Sequence, residues 1–295
     1  MFCGCWNVFA WRHVHSEAQF WDGVSSWFAY AEHPVAHFDD RSRSKTIPFA
    51  IHGDGFPIQG VGKSWSMSSV TWSFTSLLAR GETILFYLVV GILYQESLAN
   101  NTVEHFFSVL AWSFLWMERG VYPTTDANGA AFPPDSDEHK MAGKPLAEGW
   151  RGTLFLLLGD LEYVAKFLRL EHFGSLKPCC LCECNKTDGT KAWTAFAPNG
   201  PWKTTMHKSH DAWVATRPGR SILFKRLRLA AFHFFPDWMH CKHLGVDLYT
   251  YGAIICLLAD MVEGPNEKSR YNWLMACIRT KYQDTARADH TQSDM

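Results

Sequence analysis

Residues 153–158 (TLFLLL) form an unbroken apolar run that leads straight into Gly159 and Asp160, and a helix-like stretch follows at 161–170 (LEYVAKFLRL). A strand with one face in water alternates apolar and polar side chains. A run without alternation needs cover on both faces, as strands of parallel sheets in α/β proteins have. Where such a strand ends on an acidic residue and hands over to a helix, it presents a carboxylate at the edge of the sheet. This one segment predicts an α/β chain with a buried parallel strand and an aspartate at its end.

A second short β-type run, 47–51 (IPFAI), ends at His52-Gly53-Asp54-Gly55, where the glycines read as a turn. Residues 66–74 alternate and 83–90 are dense in β-formers, which predicts a three-strand antiparallel meander with Asp54 at the end of its first strand. Apolar residues at 103, 106, 107, 110, 114 and 117 predict an amphipathic helix over 101–119, capped by Asn101 or Thr102. Residues 123–144, rich in Pro, Asp, Gly and Ala, read as an exposed loop. The expected organisation is an N-terminal extension or remnant over 1–45, the first part of a core over 46–175, a cysteine-containing insertion over 176–235, and a helical C-terminal part over 236–295 ending in a polar tail from 284.

With 47% hydrophobic and 19% charged residues, the 295-residue chain can bury a large core and is not of disordered type. Fourteen tryptophans suit either broad aromatic packing or platforms for a partner. The net charge of −1 lacks the basic excess usual in a nucleic-acid binder, so a local patch must serve, and 217–228 (RPGRSILFKRLR) is the best candidate. The most apolar segment, 83–94, is too short for a membrane span, which needs about 20 residues. Residues 1–10 lack the basic start of a signal peptide. Nine cysteines, four of them between 179 and 184, suggest a reducing compartment and a metal or reactive site rather than a disulfide framework.

Three groups carry candidate chemistry. Asp54, flanked by glycines, suits a hard cation that takes oxygen ligands, although Gly-Asp-Gly is also ordinary turn chemistry. Asp160 can share metal ions with it if the two strand ends meet, or it can simply cap the following helix. In Pro178-Cys179-Cys180-Leu181-Cys182-Glu183-Cys184, the Cys-x-x-Cys pair Cys179 and Cys182 has the spacing of a zinc knuckle. Cys180 and Cys184 compete for the same role. His207, His210, His240, His243 or Cys241 are available to complete it, and a redox pair, a nucleophilic cysteine or inert thiols are the alternatives. His240 and His243 share one predicted helix face with Asp237 and Cys241 near them, which suits either ligation or plain burial.

Taken in order, these motifs resemble those of CACTA-type transposases. IPFAIHGDGFPI is similar to the first-aspartate strand of that group, TLFLLLGDLEYVAKFLRL to the second-aspartate strand and its helix, PCCLC to the cysteine pair that follows, and DWMHCKHLGV to a later Asp-x-Met-His-Cys stretch. The resemblance spans 47–258 and implies an RNase H-like mixed sheet with flanking helices, an insertion that binds Zn2+ through Cys179 and Cys182, and Mg2+ or Mn2+ at Asp54 and Asp160. It implies cutting and joining of DNA strands in the nucleus, with DNA as partner, self-association as a further expectation, and no membrane. His240 and His243 would belong to the metal sites. The group uses a third acid on a helix. Glu263, with Glu267 close by, is the candidate here, but both flank the turn-like Gly264-Pro265-Asn266, so the third acid lies beyond Met295 or is missing in a degenerate copy. The non-catalytic alternative is a zinc-stabilised module that binds nucleic acid or protein.

Overall fold

The computed structural model describes residues 16–57, 68–78, 88–94, 98–172, 174–195, 197–207, 209–217, 219–236 and 247–292. The chain divides into two compact units, Met1–Pro236 and Asp237–Met295.

The first unit opens with helices α1 (Glu17–Val24) and α2 (Phe28–Ala31), a 3₁₀ turn at Pro34–His37, and α3 (Asp40–Ser44). Strands β1 (Thr46–Pro57), β2 (Ser68–Ser76) and β3 (Leu88–Tyr94) follow, then α4 (Thr102–Arg119), α5 (Asp137–Met141), β4 (Arg151–Gly159) and α6 (Leu161–Lys166). Helices α7 (His210–Ala215) and α8 (Ile222–Leu227) precede β5 (Phe234–Pro236). Among the described residues the sheet has the order β3-β2-β1-β4-β5. Its β1–β2 and β2–β3 pairs are antiparallel, and its β1–β4 and β4–β5 pairs are parallel. The fold is therefore mixed α/β, with the meander and the parallel strand both present.

Strand β4 is buried almost throughout because both faces are covered. On one face Leu154 and Leu157 join Ile51, Val70 and Trp72 against Phe107, Leu110 and Phe114 of α4, Val164 of α6 and Phe224 of α8. On the other, Phe155 and Leu156 join Ala50 against Phe20, Trp21 and Val24 of α1. Residues 16–45 thus supply the second covering layer of the sheet. Trp21, Trp72 and Trp213 are fully buried, so these tryptophans serve packing.

Several local expectations change. Gly53-Asp54-Gly55 is not a turn: β1 runs on to Pro57, with Asp54 opposite Thr71 on β2, because the antiparallel partner supplies hydrogen bonds past the glycines. The helix after Asp160 is only six residues long, and Arg169 takes a left-handed conformation three residues beyond its end. Asn101 occupies the cap position of α4 without a side-chain bond, while the C-terminus closes on Gly120 at φ 69°. The exposed loop after Gly120 has its ends tied together, Leu146 N–H to Gly120 O at 2.8 Å and Tyr122 N–H to Lys144 O at 2.9 Å. Of the run 83–90, only its last three residues are described, within β3.

Two histidines lie at the centre of the second core. His33 and His233 are fully buried, with ring centroids 5.8 Å apart. His33 Nε2 meets Leu154 O at 3.2 Å, and His233 Nδ1 accepts from Ala230 N–H at 3.0 Å. Burial disfavours the charged ring, lowering His33 from 6.5 to about 4, and burial followed by the neighbouring His33 lowers His233 as well. The unfolded chain binds these protons near pH 6.5 and the native chain resists them. Stability is therefore fully present above pH 6.5 and falls as pH drops towards 4. The expected loss is about 1.4 kcal/mol per pH unit for His33 alone. Urea unfolding at stepped pH should show this slope, and a profile flat from pH 7 to 5 would exclude it.

The second unit contains α9 (Leu248–Asp260) and α10 (Glu267–Gln292), with Arg270 Nη2 3.4 Å from Asp260 Oδ1. The polar stretch after 284, expected as a tail, is helical to Gln292. Residues 237–246, which hold His240, Cys241 and His243, lie outside the described residues, so the helix expected directly after Pro236 is described only from Leu248. Among the described residues no helix is long and apolar enough to cross a membrane.

Candidate functional site

The parallel pairing of β1 with β4 ends in the register Gly53↔Gly159. Asp54 and Asp160 are the next residues on these neighbouring strands, which run about 4.8 Å apart. Asp160 leaves the sheet directly after β4, while Asp54 stays within β1, paired with Thr71 of β2, so the two follow the last β1–β4 pair at the same end of that pairing. Asp160 also caps α6, its Oδ1 accepting from Tyr163 N–H at 2.6 Å. The capping and edge readings hold together, since one carboxylate oxygen makes that bond and the other does not share it. Asp54 is half-buried, and its carbonyl lies 3.5 Å from Thr71 Oγ1.

The two glycines have a specific cause. A Cβ on Gly53 would lie 2.0 Å from Tyr163 Cε2 and Cζ, and one on Gly159 would lie 2.5 Å from Tyr163 Cδ1 and 2.9 Å from Gly53 O. Tyr163 is buried, and its hydroxyl accepts from Trp72 Nε1 at 3.0 Å. Glu263, the sequence candidate for a third acid, is exposed in the second unit between α9 and α10, and Glu267 stands in the first turn of α10.

The cysteine segment makes a second cluster. The sulfurs of Cys179, Cys182 and Cys184 lie within 4.8 Å of one another, a set that can hold a metal ion. Zinc–sulfur bonds of about 2.3 Å in a tetrahedral site put sulfurs about 3.8 Å apart, so closing on an ion needs a shift of less than about 1 Å. Cys182 and Cys184 are buried. A hydrogen bond from Cys179 lowers the Cys182 thiol and raises that of Cys179. Burial, then the nearby Cys179, raises Cys184. Leu181 N–H points at Cys179 Sγ, 3.3 Å away, the kind of donor that steadies a thiolate ligand.

The segment is held from outside. Trp213 Nε1 donates to Cys180 O at 2.8 Å, His207 N–H to Leu181 O at 2.9 Å, and Glu183 N–H to Thr205 Oγ1 at 3.1 Å. Cys180 and Leu181 pack against the main core, which removes Cys180 from the cluster. His210 is also removed: its Nδ1 meets Asp211 Oδ1 at 2.9 Å and its Nε2 meets Phe224 O at 3.1 Å, leaving no nitrogen for a metal. Cys184, two residues beyond the Cys-x-x-Cys pair, is the third sulfur in their place.

One arginine of the basic stretch 217–228 is committed to the interior. Arg220 is buried, stacked 3.8 Å over Trp213 and 3.3 Å from Glu171, which Arg217 also meets at 3.1 Å. Arg226 reaches Ser108 and Arg228 reaches Asp211, while Lys225, Arg226 and Arg228 stay exposed. A scan of protein-family models and a search of curated proteins return no match to this chain.

Proposed function

We propose that the chain is an RNase H-like, transposase-type polynucleotidyl transferase that cuts and joins DNA strands in the nucleus. The observation that supports the reading is the Gly53↔Gly159 register, which puts two aspartates on neighbouring chain segments just past the last β1–β4 pair. The donors there are oxygens, which suit Mg2+ or Mn2+ rather than a soft metal. A pair of such ions would activate water or a 3′-hydroxyl and stabilise the leaving oxygen. Asp54 and Asp160 would hold them, and Zn2+ would sit at the cysteines. Asp54→Ala is expected to abolish divalent-dependent nicking of supercoiled DNA, while unchanged nicking would sink the assignment.

The gathering of three sulfurs supports a second reading, a non-catalytic zinc-stabilised module that binds nucleic acid or protein. It needs neither the aspartates nor a third acid. Salt-sensitive DNA binding with no cleavage under Mg2+ or Mn2+ would select it over the first.

A further inference from the structure

We propose that Tyr163 is a positioning residue that sets the separation and aim of Asp54 and Asp160. The inference rests on the two-aspartate reading above and adds to it the part of the fold that would fix the site.

One row of residues crosses four strands on the same face: Gly91 opposite Trp72, Trp72 opposite Gly53, and Gly53 opposite Gly159. Aromatic rings fill the places the glycines leave open. Phe106 lies where a Gly91 side chain would be, and Tyr163 lies where those of both Gly53 and Gly159 would be. The ring of Tyr163 thus rests on the last two residues that β1 and β4 pair with each other, each of them followed by an aspartate. Phe167 stacks on it at 5.7 Å, and Trp72 packs edge-on to Phe167 at 5.8 Å while donating to the Tyr163 hydroxyl. The backbone of Tyr163 meanwhile holds the Asp160 carboxylate. A single side chain and its own N–H therefore touch the last β1–β4 pair and one of the two carboxylates.

This arrangement explains why each aspartate follows a glycine: any side chain there would displace the ring. It also separates two contributions. The phenyl ring packs on the last β1–β4 pair, while the hydroxyl bond to Trp72 only orients the ring. Removing the ring should let β1 and β4 shift relative to each other at that pair. Removing the hydroxyl should not.

The test is Mn2+ binding followed by electron paramagnetic resonance on the full chain with Zn2+ present. Wild-type protein should bind Mn2+ in a way that Asp54→Ala abolishes. Tyr163→Leu should weaken that binding about 10- to 100-fold, the range expected for loss of a group that orients ligands. Tyr163→Phe should stay close to wild type, and Zn2+ content should not change in either. Gly159→Ala, which keeps the tyrosine but displaces its ring, should reproduce the Tyr163→Leu loss and serves if that variant does not fold. Wild-type affinity in both Tyr163→Leu and Gly159→Ala would overturn the positioning role and leave the two-aspartate reading standing. Absence of Asp54-dependent Mn2+ binding in the wild type would overturn both.

Discussion

Replacing Cys182 by serine is expected to abolish metal binding at the cysteine cluster. Cys182 is buried, and it accepts a hydrogen bond from Cys179 that lowers its thiol. Its loss leaves two sulfurs, one of which has also lost its hydrogen-bond partner. Affinity for Zn2+ or Co2+ should fall by more than about 100-fold, beyond the loss that follows from disturbing an outer partner. Cobalt substitution gives a direct readout, since thiolate-to-cobalt absorption should appear in the wild type and vanish in the variant. Cys180→Ser is the matched control, because Cys180 faces the core and should leave the absorption intact. A chelator should lower the unfolding midpoint of the wild type and leave that of Cys182→Ser unchanged, since an ion that binds only the folded chain stabilises it by mass action. Full retention of cobalt absorption in Cys182→Ser would remove the cluster as a metal site.

Truncating Arg220 to alanine should destabilise the first unit by about 3–5 kcal/mol, the usual cost of breaking a buried ion pair from one side. Its side chain is 1% exposed and that of Glu171 is 8% exposed, so water cannot replace the lost partner. Arg220 also donates to Trp213 O at 3.2 Å and to Thr216 Oγ1 at 3.0 Å, and it covers the Trp213 ring. Trp213 in turn holds the cysteine segment through Cys180 O. The variant should therefore lose cobalt affinity along with stability, which ties the two clusters of the fold together. Arg217 remains beside Glu171 and moderates the loss. Replacing the pair together, Arg220→Met with Glu171→Leu, should recover most of the stability, since a buried ion pair and a well-packed apolar pair of similar volume are often close in energy. Urea unfolding of the two single variants and the double variant reads all of this. A change below about 0.5 kcal/mol in Arg220→Ala would place it among ordinary surface substitutions.

The amino-acid sequence determined what depends on neighbours along the chain. The unbroken apolar run 153–158 required a strand covered on both sides, and β4 is one, paired in parallel with β1 and β5. The 3.6-residue spacing of apolar side chains over 101–119 specified α4, whose bounds the structure moves by one residue at most. The crowding of cysteines at 179–184 pointed to a cluster.

Only the tertiary structure decided matters that depend on residues far apart in sequence. Gly53-Asp54-Gly55 has the local chemistry of a turn, and it stays extended because β2 pairs along its whole length. Arginines in 217–228 are a patch by composition, yet Glu171, 49 positions from Arg220, takes that one into the fold. Which cysteines gather depends on the core taking Cys180 away and on Trp213 holding its carbonyl. The glycines before the two aspartates are explained by Tyr163, whose hydroxyl partner Trp72 is 91 positions away. Periodicity and turn chemistry report the preferences of a short segment, while the free energy of a packed ring, a buried ion pair or a strand partner is settled only when distant segments meet.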